Sequence, residues 1–371
     1  MAAPSPRYRL RATLLPEGDR AVDLWVADGR LTFAPQDGAE ELAPAGGYAL
    51  AGLVDCHAHL TLDAGNTGLP LGSAELVAAN RRGYLDAGVL LLRDIGAVSD
   101  ATLGLPAGDG LPRVQPAGRF LAPPGGYFGI QQETAAADLA QVAVQQVAGG
   151  ARWVKIIADW PHDGTGALVD LARGAVNYPV EAVRQAVAAV HRAGGRVAVH
   201  AIARGGIALG VAAGVDSIEH AWALDDALLD GMAAQGIAWT PTAAISLGWL
   251  RNAAAMGERE TAAWLGEWAE RFRALLPRAR ALGVPVLAGT DLLPPGGVAY
   301  EVAALHELGL SPADALAAAS TAARAYLGYP ALDDGAPADL VLYPADPRDS
   351  PELLLHPSLV MLGGQIVRRG G

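Results

Sequence analysis

The sequence predicts an α/β protein, a (β/α)8 (TIM) barrel carrying a small β-sandwich domain built from both chain termini. Three observations lead there. Apolar strand-like runs and amphipathic helical stretches alternate through the middle of the chain as eight β/α units, and such alternation argues a parallel sheet that eight units can close. Short alternating segments stand at both ends, flanking that body. The ionisable residues that interrupt the apolar runs gather at the ends of strands, the side on which such a barrel assembles its site. The resulting boundaries are residues 1–48 plus 332–371 for the composite β-domain and 49–331 for the barrel.

From the N-terminus, residues 8–13 alternate, and the runs 21–27 and 30–33 flank Asp28-Gly29, a two-residue hairpin signal. An apolar run over 48–54 reads as a buried strand, the first of the barrel. Further strands are predicted at 89–95, 115–121, 153–158, 196–200, 217–220, 237–242 and 284–290. Helical patterns fill 73–87, 134–148, 179–193, 224–235 and 258–282, with 298–308 and 311–327 completing the body. Residues 338–343 and 359–367 read as strands around a turn, able to pair with the N-terminal segment.

Composition bounds the function classes. Of 371 residues, 51% are hydrophobic and 18% charged, as in a packed enzyme rather than a disordered chain. The net charge of −12, unrelieved by any Lys/Arg cluster, argues against a nucleic-acid partner. The single cysteine, Cys56, cannot form an intramolecular disulfide. Arg7, Arg9 and Arg11 precede no apolar run of a secretory leader, and no stretch reaches membrane-spanning length. A small-molecule substrate, no membrane and a reducing, cytoplasmic setting are therefore expected.

His57 and His59 end the first predicted strand. In a strand, residues two apart face the same way, so both imidazoles can grip one metal ion, and Asp55 shares their parity to join or orient them. By the same rule Cys56 is expected to point away, behind the barrel. Lys155 lies within strand four, His200 ends strand five, His220 ends strand six and Asp291 ends strand eight. Four of the eight histidines thus stand at strand ends. Singly, each has a plain structural reading: a hydrogen-bonded histidine, a lysine paired with a carboxylate, an aspartate capping a helix. Jointly they read as a metal site, because a lysine pointing into a barrel is costly unless paired or modified.

These residues sit in segments that resemble the amidohydrolase superfamily, in its binuclear-metal branch, close to imidazolonepropionase-related and prolidase-like (Xaa-dipeptidase) enzymes. The matching pieces are Gly52-Leu53-Val54-Asp55-Cys56-His57-Ala58-His59, Leu92-Arg93-Asp94-Ile95-Gly96, Val154-Lys155-Ile156, Val199-His200-Ala201, Ser217-Ile218-Glu219-His220 and Gly289-Thr290-Asp291. The resemblance implies two divalent metal ions, zinc first, with manganese, cobalt or iron as alternatives. It implies that His57 and His59 hold one ion and His200 and His220 the other. Lys155, carboxylated by CO2, would bridge them, and Asp291 would touch the first ion and act as general base and acid. Two ions about 3.5–4 Å apart can share a hydroxide that attacks an amide carbonyl.

The predicted βα loops bear on the substrate. Tyr127 and Phe128 follow strand three and Trp160 follows strand four. His162, in the same loop, is read as a loop residue. Relatives often carry histidine at the place of Tyr127, and histidine or tyrosine at that of Ile202. Arg204 could receive a substrate carboxylate or lie in solvent. With Trp222, Trp239 and Trp249, these residues suggest an apolar or aromatic substrate, an amide of a peptide, an N-acyl amino acid or a cyclic amide. Two readings compete: a deaminase or a lactone or ester hydrolase on the same fold, and a metal-free scaffold. Lys155 argues against a mononuclear deaminase. Relatives of this kind often associate, so a homo-oligomer is compatible.

Overall fold

A computed structural model of the chain describes residues 6–42, 47–106, 108–161, 171 and 173–370. The N-terminal segment forms β1 (Tyr8–Leu14), β2 (Ala21–Ala27), β3 (Arg30–Thr32), β4 (Glu40–Glu41) and β5 (Gly47–Ala51). Alternation places Leu10, Leu24, Val26 and Leu31 on one buried face. Asp28-Gly29 makes the two-residue turn between β2 and β3, with Asp28 at φ 50°, as the primed hairpin turns require.

The body contains β6 (Leu53–Ala58), α1 (Ala74–Asp86), β7 (Val89–Asp94), β8 (Arg113–Pro116), β9 (Phe120–Ala122), β10 (Gln132–Glu133) and α2 (Leu139–Ala148). It continues with β11 (Trp153–Ile157), β12 (Asp159–Trp160), β13 (Ala175–Val176), α3 (Val180–Arg192), β14 (Arg196–Ala201), α4 (Arg204–Ala213), β15 (Ser217–His220) and α5 (Asp226–Gln235). Then come β16 (Ala238–Thr240), α6 (Ala243–Met256), α7 (Arg259–Ala281), α8 (Val298–Glu307), α9 (Pro312–Ala318) and α10 (Thr321–Leu327), before β17 (Leu340–Tyr343), β18 (Leu359–Leu362) and β19 (Gln365–Arg369). Capping explains several boundaries: the Ser73 and Asp225 side chains accept from Leu76 N and Leu228 N at the starts of α1 and α5.

The terminal strands form one mixed eight-stranded sheet, in which β5 pairs antiparallel with β17 and parallel with β1. In the body, β6-β7-β8 and β9-β11-β14-β15-β16 are parallel and follow chain order. A parallel bridge between Ala97 and Arg119 joins the two sets, and another links Trp239 to Val286. Cys56 N donates to Ala288 O at 2.8 Å. These strands are buried on both sides, as parallel strands covered by helices must be.

Several sequence expectations change. The run 48–54 is two strands in two sheets, parted at Gly52. The stretch 115–121 divides between β8 and β9, and 284–290 is extended backbone held by the Val286 bridge rather than a strand. Residues 311–327 form two helices, and the helix expected from 134 starts at Leu139. The hydrophobic pattern carries no signal for α4 or α6, both rich in Ala and Gly on every side. His162 lies outside the described residues.

Gly52 is where the chain passes from one sheet to the other. Its N donates to Asp339 O at 2.9 Å, and Arg324 Nε donates to its O at 2.8 Å. A Cβ there would lie 2.4 Å from Leu90 Cδ1 and 2.8 Å from Leu90 Cβ, with Leu90 fully buried. Gly52→Ala is therefore expected to destabilise the fold by about 1–3 kcal/mol, the usual cost of overpacking. Denaturant unfolding checks this, and an unchanged midpoint would show that the crossing has slack.

Candidate metal centre

The first histidine pair is aimed by an irregularity. The pairing of β6 with β7 shifts register between Asp55 and Ala58, and an extra residue in a strand swaps the faces of the residues beyond it. Asp55 consequently departs from the expected parity. It accepts from the backbone N of His57 (2.9 Å) and of Thr290 (3.1 Å) and from the Thr290 hydroxyl, so it orients the strand end rather than joining the imidazoles. Cys56 departs too. It packs with Trp153, Ala198, Ala238 and Leu287, on the inner face shared by Lys155 and His200, not behind the strands. Burial pushes its thiol up to about 12.

The structure brings His57, His59, His200 and His220 together. Ring centroids run 5.0 Å from His59 to His57, 4.9 Å from His57 to His220 and 4.7 Å from His220 to His200. Three of these rings have a fixed tautomer. His57 Nδ1 lies 2.8 Å from Glu219 Oε2 and His59 Nδ1 lies 2.9 Å from Gly96 O, both pure acceptors. His220 Nδ1 lies 2.8 Å from Thr242 Oγ1, whose hydrogen goes to Pro241 O. Each Nδ1 therefore carries a proton, which turns Nε2 toward any metal, the arrangement typical of metal-bound histidine. Both nitrogens of His200 are buried without a partner. Burial, then the neighbouring Lys155, holds His57 and His200 well below the usual imidazole value; burial and then His200 and His57 do the same for His220.

Lys155 is fully buried, its Nζ has no hydrogen-bond partner, and burial lowers its pKa to about 8. A buried amine without a partner among neutral imidazoles is unfavourable as it stands and suits conversion into an anionic oxygen ligand. The donor atoms of His57, His220 and Asp291 lie within 4.8 Å of one another, and Asp291 Oδ1 is 3.4 Å from His59 Nε2 and 3.9 Å from His57 Nε2. The donor set fits divalent metal.

Backbone strain aims two of these groups. His220 (φ 67°), Ala221 (φ 56°), Thr242 (φ 49°) and Asp291 (φ 55°) all lie in the left-handed region, a conformation that costs about 1–3 kcal/mol per residue and collects at functional sites. Alternation would direct His220 with Ile218 toward the helices, and its positive φ turns it inward instead.

A layer that the motif reading passed over lies beneath. Arg93 and Glu219 are fully buried and paired: Arg93 Nη2 donates to both Glu219 oxygens at 2.8 and 2.9 Å and to Thr240 Oγ1 at 2.9 Å, while Nε donates to Cys56 O at 2.5 Å. Ser217 Oγ donates to Glu219 Oε1 at 2.5 Å. Burial alone would raise Glu219, but Arg93 and Lys155 outweigh it and hold the carboxyl below its ordinary value. The signal was present in the sequence, since a charged residue inside a strand buried on both faces requires a partner.

His59, His200, His220 and Asp291 lie in the lining of a cavity of about 250 Å³. Its walls include Tyr127, Phe128, Trp160, Ile202, Trp222 and Trp249. No lysine or arginine is among its lining residues as described. Two residues considered for the substrate stand outside this lining. Arg204 pairs with Asp225 at 2.7 Å with 63% of its side chain exposed, because it begins α4 on the solvent side. Trp239 is fully buried against Phe272 and donates to His220 O at 3.1 Å, so it supports the site without lining the cavity.

Neutral imidazoles, a carboxylate and a buried amine at the ends of parallel strands, open to a cavity, make the site of a metal-dependent hydrolase. The chain belongs to the amidohydrolase family, whose profile matches residues 48–367. Over 367 residues it is 38% identical to an uncharacterized protein of Mycobacterium tuberculosis, covering 97% of this chain and 95% of that one, and equally to one of Mycobacterium bovis. Among solved structures it resembles a Bifidobacterium longum protein provisionally described as a prolidase (TM-score 0.81, 25% identity, 100% of this chain and 96% of that one). It also shares its fold with the ochratoxinase of A. niger (TM-score 0.79, 20% identity, 98% and 96%).

Replacing Glu219 with Gln leaves the Arg93 charge buried without its counter-charge and His57 without its anionic acceptor. Glu219→Gln is expected to lower stability by roughly 3–5 kcal/mol, as for other broken buried pairs, and to weaken metal retention by about 10–100-fold. Thermal unfolding and metal analysis after dialysis check both. Full retention of metal in the folded variant would assign Glu219 a purely structural role.

Proposed function

We propose that this protein hydrolyses an amide bond between uncharged, apolar or aromatic groups. One observation carries the reading: His59, His200, His220 and Asp291 line an apolar, aromatic-walled cavity in which no described residue offers a cation for a carboxylate. A free carboxylate held against the aromatic walls, away from the ligand cluster, would lose its water without gaining a side-chain partner, at a cost of several kcal/mol.

In this reading the parallel strands form a closed (β/α)8 barrel that begins at Gly52, not at residue 49, and runs to about residue 331, beside a β-domain that includes β5 and the C-terminal strands. The Trp239–Val286 bridge and the Cys56–Ala288 hydrogen bond support the closure. His57, His59, His200, His220 and Asp291 are the residues that would hold divalent metal, zinc first, and Lys155, as a carbamate, would add an anionic oxygen ligand. When bound, the metal supplies an acidified water and a Lewis acid for the carbonyl. The unpartnered Lys155 Nζ and His200 nitrogens support this assignment.

Asp291 does the proton work. Its carboxylate lies at the boundary between imidazoles and cavity, 17% exposed. It accepts a proton as the C–O bond forms and returns it to the leaving nitrogen as the C–N bond breaks, giving an acid and an amine. The aromatic walls orient the apolar group and exclude water. Tyr127 contributes from above His200, with ring centroids 5.5 Å apart.

Purified without chelator, the chain is expected to carry about two metal equivalents per protomer. Asp291→Asn should fold and lose on the order of 10²–10⁴ in turnover, and full turnover would remove Asp291 from its role. Lys155→Ala should lose metal and regain it with a short-chain carboxylic acid. Among paired substrates, an aryl amide should exceed its carboxylate-bearing analogue in kcat/KM by at least about tenfold, given the cost of an unpaired charge. The reverse preference, or hydrolysis confined to esters, would sink the proposal.

A further inference from the structure

We infer that Glu301 is a positioning residue of the metal centre: from α8 it pins the first turn of α6, and through Thr242 it fixes both His220 and the Trp249 side of the cavity. This rests on the reading of His220 as a metal ligand.

Glu301 is fully buried, and both its oxygens are used on one helix end. Oε1 accepts from Ala243 N at 2.9 Å and Oε2 from Ala244 N at 2.7 Å. The first N–H groups of a helix have no partner within it and are ordinarily met by the N-cap side chain. The N-cap of α6 is Thr242, and its side chain does not cap. Its hydroxyl donates to Pro241 O and accepts from His220 Nδ1, both at 2.8 Å. With that hydroxyl committed to a metal-ligand candidate, the helix end needs an acceptor from elsewhere, and a carboxylate also answers the positive end of the helix dipole.

Thr242 adds a second argument. It is β-branched and sits at φ 49°, an uncommon conformation for such a residue. It persists where the surroundings over-determine it. Here the hydroxyl is fixed on one side and the next two N–H groups are clamped by Glu301 on the other. Downstream, Ile245 and Trp249 of α6 face the cavity, and Trp249 packs on Trp222 with centroids 5.7 Å apart. One buried carboxylate therefore connects a ligand's tautomer to a wall of the substrate cavity.

The test compares Glu301→Gln and Thr242→Val with Glu307→Gln, an exposed change on the same helix. Zinc affinity is measured by chelator competition and tryptophan emission by fluorescence, on protein that melts cooperatively. In Glu301→Gln the amide nitrogen faces an N–H donor, so one helix N–H loses its acceptor. Zinc binding about 10–100-fold weaker is expected in both site variants, a red-shifted emission only in Glu301→Gln, and neither change in Glu307→Gln. Wild-type zinc affinity in Glu301→Gln overturns the inference. If that variant does not fold, Thr242→Val decides, because it spares both Glu301 bonds and wild-type affinity there breaks the link to His220. If the unsubstituted chain takes up no zinc, the metal reading fails by itself, and an unshifted emission in Glu301→Gln would overturn the pinning as well.

Discussion

The buried contact between Arg93 and Glu219 is the interaction on which the site depends. Neither charge could be left in this interior alone. Together they place a carboxylate against His57 Nδ1 at 2.8 Å and tie the backbone of Cys56 to the side chain of Thr240. The pair thus spans β6, β7, β15 and β16, and it fixes Nε2 as the nitrogen that His57 turns toward Asp291. Trp153 covers the guanidinium at 4.7 Å, closing the network from below.

Burial then acts differently on each class of group. It keeps His57, His200 and His220 neutral, the form in which imidazole donates a lone pair. It brings Lys155 down to about 8, so part of this amine is neutral near physiological pH. It pushes Asp159 and Glu301 up, while backbone N–H groups at helix starts pull each back down, Ile202 and Ala203 for Asp159 and Ala243 and Ala244 for Glu301. The interior therefore holds two kinds of carboxylate: those that shape the loops around the cavity, and Asp291, which faces into it.

Much of this was legible in the sequence, for a simple reason. Histidines, a lysine and an aspartate break runs of Val, Ile and Ala at strand ends, and a polar residue in such a run is conspicuous. The aromatic loop residues Tyr127, Phe128 and Trp160 were legible from position alone. Parity at Asp55 and Cys56 was not, because a register shift leaves no mark in the hydrophobic pattern. Nor was the inward turn of His220, which depends on a positive φ at a residue that gives no sign of it. Trp222 and Trp239 look alike in sequence and differ only in what packs against them. Arg204 fits either a substrate role or solvent in sequence, and its exposed pair with Asp225 places it in solvent. Glu301 carried no motif, since its role exists only in three dimensions.

The register shift in β6 has a further consequence. It divides one short strand into two regimes of selection. At Leu53, Val54 and Cys56 side chains answer to packing, and an apolar exchange of similar volume changes little beyond the local fit, while Asp55 between them is held by its hydrogen bonds. From His57 onward they answer to the geometry of a donor set, where identity matters and volume does not substitute for it. A one-residue insertion or deletion between Asp55 and Ala58 would exchange the two regimes, presenting the packing residues to the cavity and the imidazoles to the helices. Drift in this family should accordingly be free in substitution on one side of the shift, and closed to changes of length across it.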